Sequence, residues 1–197
     1  DNTVNGKPLY YIVNTTSYIV PSDAGEVIVV NSGDITIRSI NASWTDVGVE
    51  VAYSSDISIT GCTISNNEWD GIYCWVSSGI SITDCTISNN VWDGIYCYES
   101  SNTAIHYCNI YSNWKHGLYN WGGYVVNATY CWWGSPDGPE YKEEGDPSDP
   151  EEVYSYYGPE YLIYEPWLTE PIVIDTIPPS VEILSPKSGS YVKGTTT

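Results

Sequence analysis

The stretch from residue 56 to residue 101 contains one pattern twice. Residues 56–78 read DISITGCTISNNEWDGIYCWVSS, and residues 79–101 read GISITDCTISNNVWDGIYCYESS. A more diverged copy, NTAIHYCNIYSNWKHGLYNWGG, follows at 102–123. The period of 23 residues also spaces a set of cysteines, namely Cys62, Cys85, Cys108 and Cys131. A fixed period of this length indicates a repeat architecture, in which each unit packs on its neighbours.

Each repeat consists of short alternating stretches separated by polar turns. Ile57-Ser58-Ile59 and Ile72-Tyr73-Cys74 alternate in the way that is typical of strands. Ser-Asn-Asn and Ser-Ser-Gly tracts lie between them, and no window has a helical period. Strands without a helix predict one coil of a parallel β-helix, with equivalent residues stacked about 4.8 Å apart. We therefore predict an all-β, right-handed parallel β-helix of about five such coils, followed by a C-terminal extension.

Three segments are expected along the chain. Residues 1–134 form the β-helix with N-terminal cap strands, and residues 135–173 form an acidic, tyrosine-rich extension that packs on it. Such an extension would cover the unpaired strand edge at the end of a solenoid. The acidic run 143–152 is a candidate cation site, or alternatively a solvated loop. Residues 174–197 are expected to be an incomplete strand segment, or one that pairs with a neighbouring molecule.

Composition excludes several classes of partner. The chain has 25 acidic and 6 basic residues and a net charge of −19, which argues against nucleic acids and anionic membranes. No apolar run approaches the length of a membrane span. Three glycosylation sequons, at Asn14, Asn41 and Asn127, favour an extracellular or cell-surface glycoprotein.

The six cysteines have two interpretations, because all of them fall at inward positions of the predicted coils. They form either a buried, small apolar ladder or disulfides between successive rungs, for which Cys74 and Cys97 are the most isolated pair. The disulfide candidates are Cys62, Cys74, Cys85, Cys97, Cys108 and Cys131. No CxxC motif is present, and we predict no metal site at these thiols.

An aromatic face follows from the same alternation. If Ile72 and Cys74 point inward, then Tyr73 and Trp75 point outward, and the period extends them into two columns with a tryptophan rim at the preceding turn. The predicted face comprises Trp69, Tyr73, Trp75, Trp92, Tyr96, Tyr98, Tyr119 and Trp121, with Trp114 as the third rim residue. Such a face stabilises itself or is covered by the extension, binds sugars, or contacts another protein.

Two carboxylates occupy equivalent positions one coil apart. Asp70 and Asp93 would serve a retaining glycosidase, bind Ca²⁺ or remain solvated, and His116 follows on the next rung. We predict Asp93 and His116 to form a surface pair of little energetic value. A polyuronate lyase would need a basic residue beside acidic Ca²⁺ ligands, but Arg38 and Lys115 do not lie on adjacent rungs. We therefore expect no catalytic residues and no cofactor other than a candidate Ca²⁺.

The repeat units ISITGCTISNNEWDGIYC and ISITDCTISNNVWDGIYC resemble the right-handed parallel β-helix repeats of NosD-like proteins, also described as carbohydrate-binding and sugar-hydrolase domains. The stretches NTVNGKPLYYIVN and NATYCWWGSPDGP resemble archaeal and bacterial cell-surface members, so the resemblance covers residues 1–139. It implies the fold, and it allows structural, sugar-binding and enzymatic roles. The final segment, IDTIPPSVEILSPKSGSYVKGTTT, resembles the start of an Ig-like stalk domain.

These observations lead to an expected function and two alternatives. We expect an extracellular structural module of a cell-surface layer or filament, which self-associates head-to-tail through strand edges and the aromatic face or binds other surface proteins. The first alternative is a carbohydrate-binding module that uses the aromatic face. The second is a polysaccharide hydrolase or lyase centred on Asp70 and Asp93.

Overall fold

The computed structural model describes residues 2–142 and 152–173, so most of the acidic run and the Ig-like segment lie outside the described residues. The strands are β1 (Thr3–Val4), β2 (Lys7–Val13), β3 (Thr16–Ile19), β4 (Glu26–Val30), β5 (Gly33–Arg38), β6 (Asn41–Ser43), β7 (Val49–Ala52), β8 (Ser55–Thr60), β9 (Thr63–Ser65), β10 (Ile72–Trp75), β11 (Ser78–Thr83), β12 (Thr86–Ser88), β13 (Ile95–Tyr98), β14 (Thr103–His106), β15 (Asn109–Tyr111), β16 (Leu118–Trp121), β17 (Val126–Asn127), β18 (Glu140–Tyr141), β19 (Glu152–Ser155) and β20 (Leu162–Ile163). A short 3-10 helix spans Pro159–Tyr161.

These strands form three sheets of nine, seven and four strands within the described residues. The nine-stranded sheet, called the front sheet below, has the order β1-β2-β4-β7-β10-β13-β16-β19-β18. Strand β1 pairs antiparallel with β2, whereas the neighbours from β2 onward pair in parallel. The chain therefore winds from sheet to sheet, and each turn adds one strand to each wall. This arrangement is the predicted parallel β-helix.

The register between coils follows the sequence period. Ile72 pairs with Ile95, and Cys74 pairs with Cys97, as the 23-residue repeat predicts. Val27 pairs with Val49, so the coil that begins at β4 is one residue shorter than the later ones. Four coils of the described chain contain all three strands, from β4–β6 to β13–β15, and incomplete coils precede and follow them.

A single hydrophobic core fills the interior of the coils. Its columns consist of inward residues at matching positions, and one column is Ile37, Ile59, Ile82, Ile105 and Ala128. All of these side chains are buried, as the alternation predicts. Removing stacked isoleucines from water stabilises the fold by about 1.5–3 kcal/mol for each fully buried side chain. The indole of Trp133 is also fully buried in this core.

An asparagine column and a glycine column lie side by side at the turn before the front sheet. The amide of Asn67 donates to Asn90 Oδ1 at 2.9 Å, and that of Asn90 donates to Asn113 Oδ1 at 2.8 Å. A Cβ on Gly71 would lie 2.7 Å from Asn90 Nδ2 and 2.6 Å from the carbonyl oxygen of Gly94. The glycines therefore recur because the amide ladder and the next coil leave no room for a side chain.

The six cysteines are free thiols and are buried, so the structure has the apolar ladder rather than the disulfide alternative for Cys62, Cys74, Cys85, Cys97, Cys108 and Cys131. The physical reason lies in the direction of the thiols. Cys85 Sγ donates to the carbonyl of Thr83 at 3.1 Å, and Cys62 Sγ donates to that of Thr60 at 3.3 Å. Cys108 and Cys131 bond in the same way to backbone of their own coil, whereas Cys74 is hydrogen-bonded to Cys97.

The segment after the repeats extends two of the sheets. Strand β19 pairs in parallel with β16, so that Leu118 opposes Val153 and Tyr119 opposes Tyr154. Strand β20 pairs with β17 in the seven-stranded sheet. Residues 152–163 therefore form a partial coil that covers strand edges left by the last repeat, as a solenoid end requires.

Candidate functional site

A groove of about 420 Å³ runs along the front sheet and the turn that precedes it. Aromatic side chains make up most of its lining, and three acidic side chains, one lysine and one valine make up the rest. The lining residues are Val47, Glu50, Trp69, Asp70, Tyr73, Trp92, Asp93, Tyr96, Lys115, Tyr119 and Trp121. An apolar concavity with a few polar groups has the character of a ligand site.

The floor of the groove is a column of tyrosines on successive strands of the front sheet. The rings of Tyr73 and Tyr96 are 5.2 Å apart between centroids, and those of Tyr96 and Tyr119 are 5.0 Å apart. Tyr154 of β19 continues the column at 5.4 Å from Tyr119. Ring pairs at these separations stabilise each other by about 0.5–1.5 kcal/mol beyond the burial of their area, which keeps the floor rigid.

The rim of the groove consists of Trp69, Trp92 and Lys115. The two indoles stack at 5.0 Å, and Lys115 Nζ lies 4.7 Å from the centroid of Trp92. The prediction that Trp114 is the third rim residue is wrong, because the backbone N–H of Lys115 bonds to Trp92 whereas that of Trp114 bonds to Asn90. Trp114 is exposed outside the groove, one position away from the rim column.

A second aromatic column runs beside the groove. Trp75 stacks on Tyr98 at 3.9 Å with the ring planes 7° apart, and Trp121 stacks on Tyr156 at 4.6 Å. Tyr98 and Trp121 are 6.2 Å apart. Of the predicted residues in this column, only Trp121 lines the groove. The predicted face is therefore divided into a groove and a flanking stack, and Tyr154 and Tyr156 of the extension lengthen the two columns.

Three titratable side chains stack at the base of the groove. Asp70 Oδ1 accepts a hydrogen bond from the backbone N–H of Asp93 at 2.9 Å, and His116 Nδ1 lies 2.7 Å from Asp93 Oδ1. The prediction of a surface pair is wrong, because the side chains of His116 and Asp93 are 1% and 3% exposed. The rings of Tyr119 and Tyr154 pack against His116 and exclude water from the pair.

Burial raises the pKa of several side chains that line the groove. Burial raises the pKa of Asp70 to about 7, and the neighbouring carboxylates of Asp93 and Glu50 add to the shift while Lys115 opposes it. Burial, with the charges of Glu26 and Asp46, also raises the pKa of Glu50. Tyr73 and Tyr119 have pKa values of about 12, chiefly because they are partly buried.

This arrangement has definite chemical possibilities. A carboxyl group with a pKa near neutrality can donate or accept a proton at neutral pH, which general acid–base catalysis requires. The aromatic surfaces can hold an apolar face or a cation. Among the described residues, no three His, Cys, Asp or Glu side chains are placed to hold a metal ion together.

The predicted glycosylation sites lie away from the groove lining. Asn14 and Asn41 are exposed, and Asn127 is half-buried in β17. The Asn14 side chain accepts a hydrogen bond from Asn31, and the Asn127 side chain accepts one from the backbone N–H of Thr129. In the described part of the chain, no helix has the length and hydrophobicity needed to cross a lipid bilayer.

Comparison with known proteins identifies the family. The profile of the family described as right handed beta helix region matches residues 14–132, which is more than half of the chain. The chain belongs to this family. The match begins in the first coil and ends beside Trp133, so it covers the coils whose strands build the groove. It also establishes the right-handed winding that the repeat predicts.

Individual proteins add little to the family assignment. No curated protein matches the sequence. Among solved structures, the A-module of a mannuronan C-5 epimerase from Azotobacter vinelandii is similar with a TM-score of 0.44 and 13% sequence identity. That alignment covers 84% of this chain and 54% of the epimerase module, so the chain spans about half of the module's length.

Proposed function

We propose that this β-helix is a carbohydrate-binding module and that the groove on the front sheet holds the glycan. The observation that carries the proposal is the combination, in one groove, of a rigid aromatic floor and rim with carboxylates at its base. Pyranose rings have an apolar C–H face, which packs on indole and phenol rings, and hydroxyl groups, which donate to carboxylates.

The partial exposure of the aromatic residues supports this proposal. Trp69 and Trp92 on the rim are 50% and 42% exposed, so part of each indole is accessible to a ligand although the two rings stack on each other. The floor tyrosines are more deeply placed, and neighbouring rings hold them in position. A preorganised surface of this kind binds without a large loss of side-chain entropy.

The test is a screen of the full chain against an oligosaccharide array, followed by calorimetry on the best ligand. Trp92→Ala removes a rim indole and should weaken binding at least about tenfold, as truncation of an aromatic anchor usually does. Trp75→Ala is the matched control, because Trp75 lies in the flanking stack outside the groove. An array without ligands, or equal affinities for wild type and Trp92→Ala, would remove the proposal.

A second candidate function is a structural module of an extracellular surface layer or filament, which associates with its own copies or other surface proteins. The flanking column favours it, since that column ends in Tyr156 and Tyr157, which are 53% and 50% exposed. Exposed aromatic residues of this kind suit a contact between proteins. Concentration-dependent assembly that Trp75→Ala abolishes and Trp92→Ala does not would support this function.

The catalytic alternative, a polysaccharide hydrolase or lyase, remains a prediction that rests on Asp70 and Asp93. A glycan found by the array provides its substrate, and loss of product formation in Asp93→Asn provides its test. Ca²⁺ at these carboxylates also remains a prediction, which calorimetric titration of the chain with the metal would examine.

A further inference from the structure

We infer that the groove selects a polysaccharide of amino sugars whose amines are free and protonated. This inference rests on the proposed carbohydrate binding and adds the chemical class of the glycan. Three acidic side chains, those of Glu50, Asp70 and Asp93, line the groove, against the one ammonium of Lys115 among the described lining residues. The net charge of the chain is −19, so the surrounding field also attracts cations and repels polyanions.

The carboxylate of Asp70 has an acceptor available for such a ligand. Asp70 is 7% exposed, and its Oδ1 accepts a hydrogen bond from the backbone N–H of Asp93. Among the described residues no donor is hydrogen-bonded to Oδ2, and this oxygen is not one of the buried polar atoms that lack a partner, so it is accessible from the groove that Asp70 lines. An ammonium or hydroxyl group that enters the groove can donate to this oxygen, and a hydrogen bond between two charged groups is stronger than one between neutral groups.

Lys115 shows that the aromatic walls accept an ammonium group. Its Nζ lies 4.7 Å from the ring centroid of Trp92 and 5.3 Å from that of Tyr119. Both distances are within the range of a cation–π interaction. A sugar amine can use the same kind of contact at Trp69, where the rim continues without a lysine of its own.

The spacing of the rungs favours a polysaccharide over a lysine-rich peptide. The floor tyrosines are 5.2 and 5.0 Å apart, which is comparable with the length of one hexose in an extended polysaccharide. Side chains on the same face of an extended peptide are about 6.6 Å apart and would drift out of step with the rungs. An amino-sugar polymer can therefore place successive rings on successive tyrosines.

Calorimetry of the full chain with charge-matched probes tests this inference. The probes are a chitosan hexasaccharide, the chitin hexasaccharide with the same backbone but acetylated amines, a mannuronate hexasaccharide and a lysine hexapeptide. We expect the chitosan probe to bind on the order of tenfold more tightly than the chitin probe at low salt. Added salt should reduce that difference, because it screens the charges.

Variants of the lining residues locate the effect. Glu50→Gln and Asp70→Asn should each weaken chitosan binding several-fold and weaken chitin binding much less, whereas Lys115→Gln should strengthen chitosan binding. Glu68→Gln is the control, because this exposed acid lies outside the groove lining and should have no effect on affinity. Using two acidic positions keeps the test valid if one variant is unstable.

Each outcome has a defined meaning. Tighter binding of the chitin or mannuronate probe would overturn the amino-sugar inference and leave carbohydrate binding in place. Tighter binding of the lysine peptide would overturn it in favour of a protein partner. If no oligosaccharide binds at all, the proposed function itself fails together with the inference.

Discussion

The backbone N–H of Asp93 donates to the side chain of Asp70 at 2.9 Å, so two carboxylates stack on successive coils at the base of one groove. Neither is solvated, since Asp70 is 7% and Asp93 is 2% exposed. Parallel coils place equivalent residues above one another, and a repeated acid is therefore brought next to its own copy. The repeat converts a constant spacing in the chain into a cluster of acidic side chains.

This cluster predicts a pH dependence that Asp70→Asn should remove. The pKa of Asp70 is raised from 3.8 to about 7, mainly by burial and then by Asp93, so the folded state binds its proton more tightly than the unfolded state does. Stability from this group is therefore complete below about pH 4 and declines as the pH rises to about 7. Relative to wild type, Asp70→Asn should have a free energy of unfolding that is higher by about 2–4 kcal/mol at pH 8 and almost unchanged at pH 4.

Urea unfolding at pH 4, 6 and 8 measures this effect. Glu68→Gln removes an exposed acid from the same turn and should leave the pH dependence of the wild type nearly unchanged. Asp93, Glu50 and Lys115 also act on the pKa of Asp70, and all three are unchanged in Asp70→Asn. The difference between this variant and the wild type therefore isolates the contribution of Asp70. If the free energy of unfolding changed equally between pH 4 and 7 in Asp70→Asn and in the wild type, the prediction would be contradicted.

The glycine column predicts a strong difference between two similar substitutions. A Cβ on Gly94 would lie 2.7 Å from both Asn113 Nδ2 and the carbonyl oxygen of Gly117, which are held by the amide ladder and the next coil. We expect Gly94→Ala to lower the free energy of unfolding by about 1–3 kcal/mol through overpacking. Gly123→Ala, where no atom lies within 4 Å of the new Cβ, is the control. Similar stabilities of the two variants in chemical denaturation would show that the close contacts are not limiting.

The repeat predicted the features that depend on vertical stacking. Cys74 lies beside Cys97, Asn67 bonds to Asn90, and the isoleucine columns are buried, because a constant coil length leaves one possible register. The same period links Trp92 to Lys115 and Tyr73 to Glu50, which makes both charged residues detectable as groove residues from spacing alone. Residue type alone favours Trp114 as the third rim residue, whereas the 23-residue spacing from Trp92 identifies Lys115.

The burial of His116 could not be predicted from the repeat. Its ring packs against Tyr154, which reaches the next rung only after a long non-repeating stretch of chain. No period links Tyr119 to Tyr154, so the sequence contains no signal for their contact. The thiol state also depends on side-chain direction, which spacing does not determine: a rung separation within the range of a disulfide permits the bond without forming it.

The cysteine ladder predicts low reactivity in the folded chain. A hydrogen bond with Cys97 together with burial raises the pKa of Cys74, and burial raises that of Cys108, so these two thiols carry little thiolate at neutral pH. Hydrogen bonds with Cys108 and Cys62 lower the pKa of Cys85, but its burial, like that of the other thiols, keeps a reagent away. We expect slow reaction with a disulfide reagent in the native state and rapid reaction of six thiols in denaturant without prior reduction. A Thr16→Cys variant, at an exposed position, provides the reactive control. Fewer than six thiols in denaturant would instead indicate disulfides.

The last prediction concerns the amide ladder of Asn67, Asn90 and Asn113. It compares a buried side chain that has hydrogen-bond partners with a buried hydroxyl group that has none among the described residues. Asn90 accepts from the side chain and backbone of Asn67 and donates to Asn113, so Asn90→Ala leaves several buried groups without partners. We expect a loss of about 2–4 kcal/mol in the free energy of unfolding. Thr103 Oγ1 is buried and makes no hydrogen bond among the described residues, so Thr103→Val should be neutral or stabilising. A larger loss in Thr103→Val than in Asn90→Ala, measured by chemical denaturation, would mean that shape and not hydrogen bonding holds the coils together.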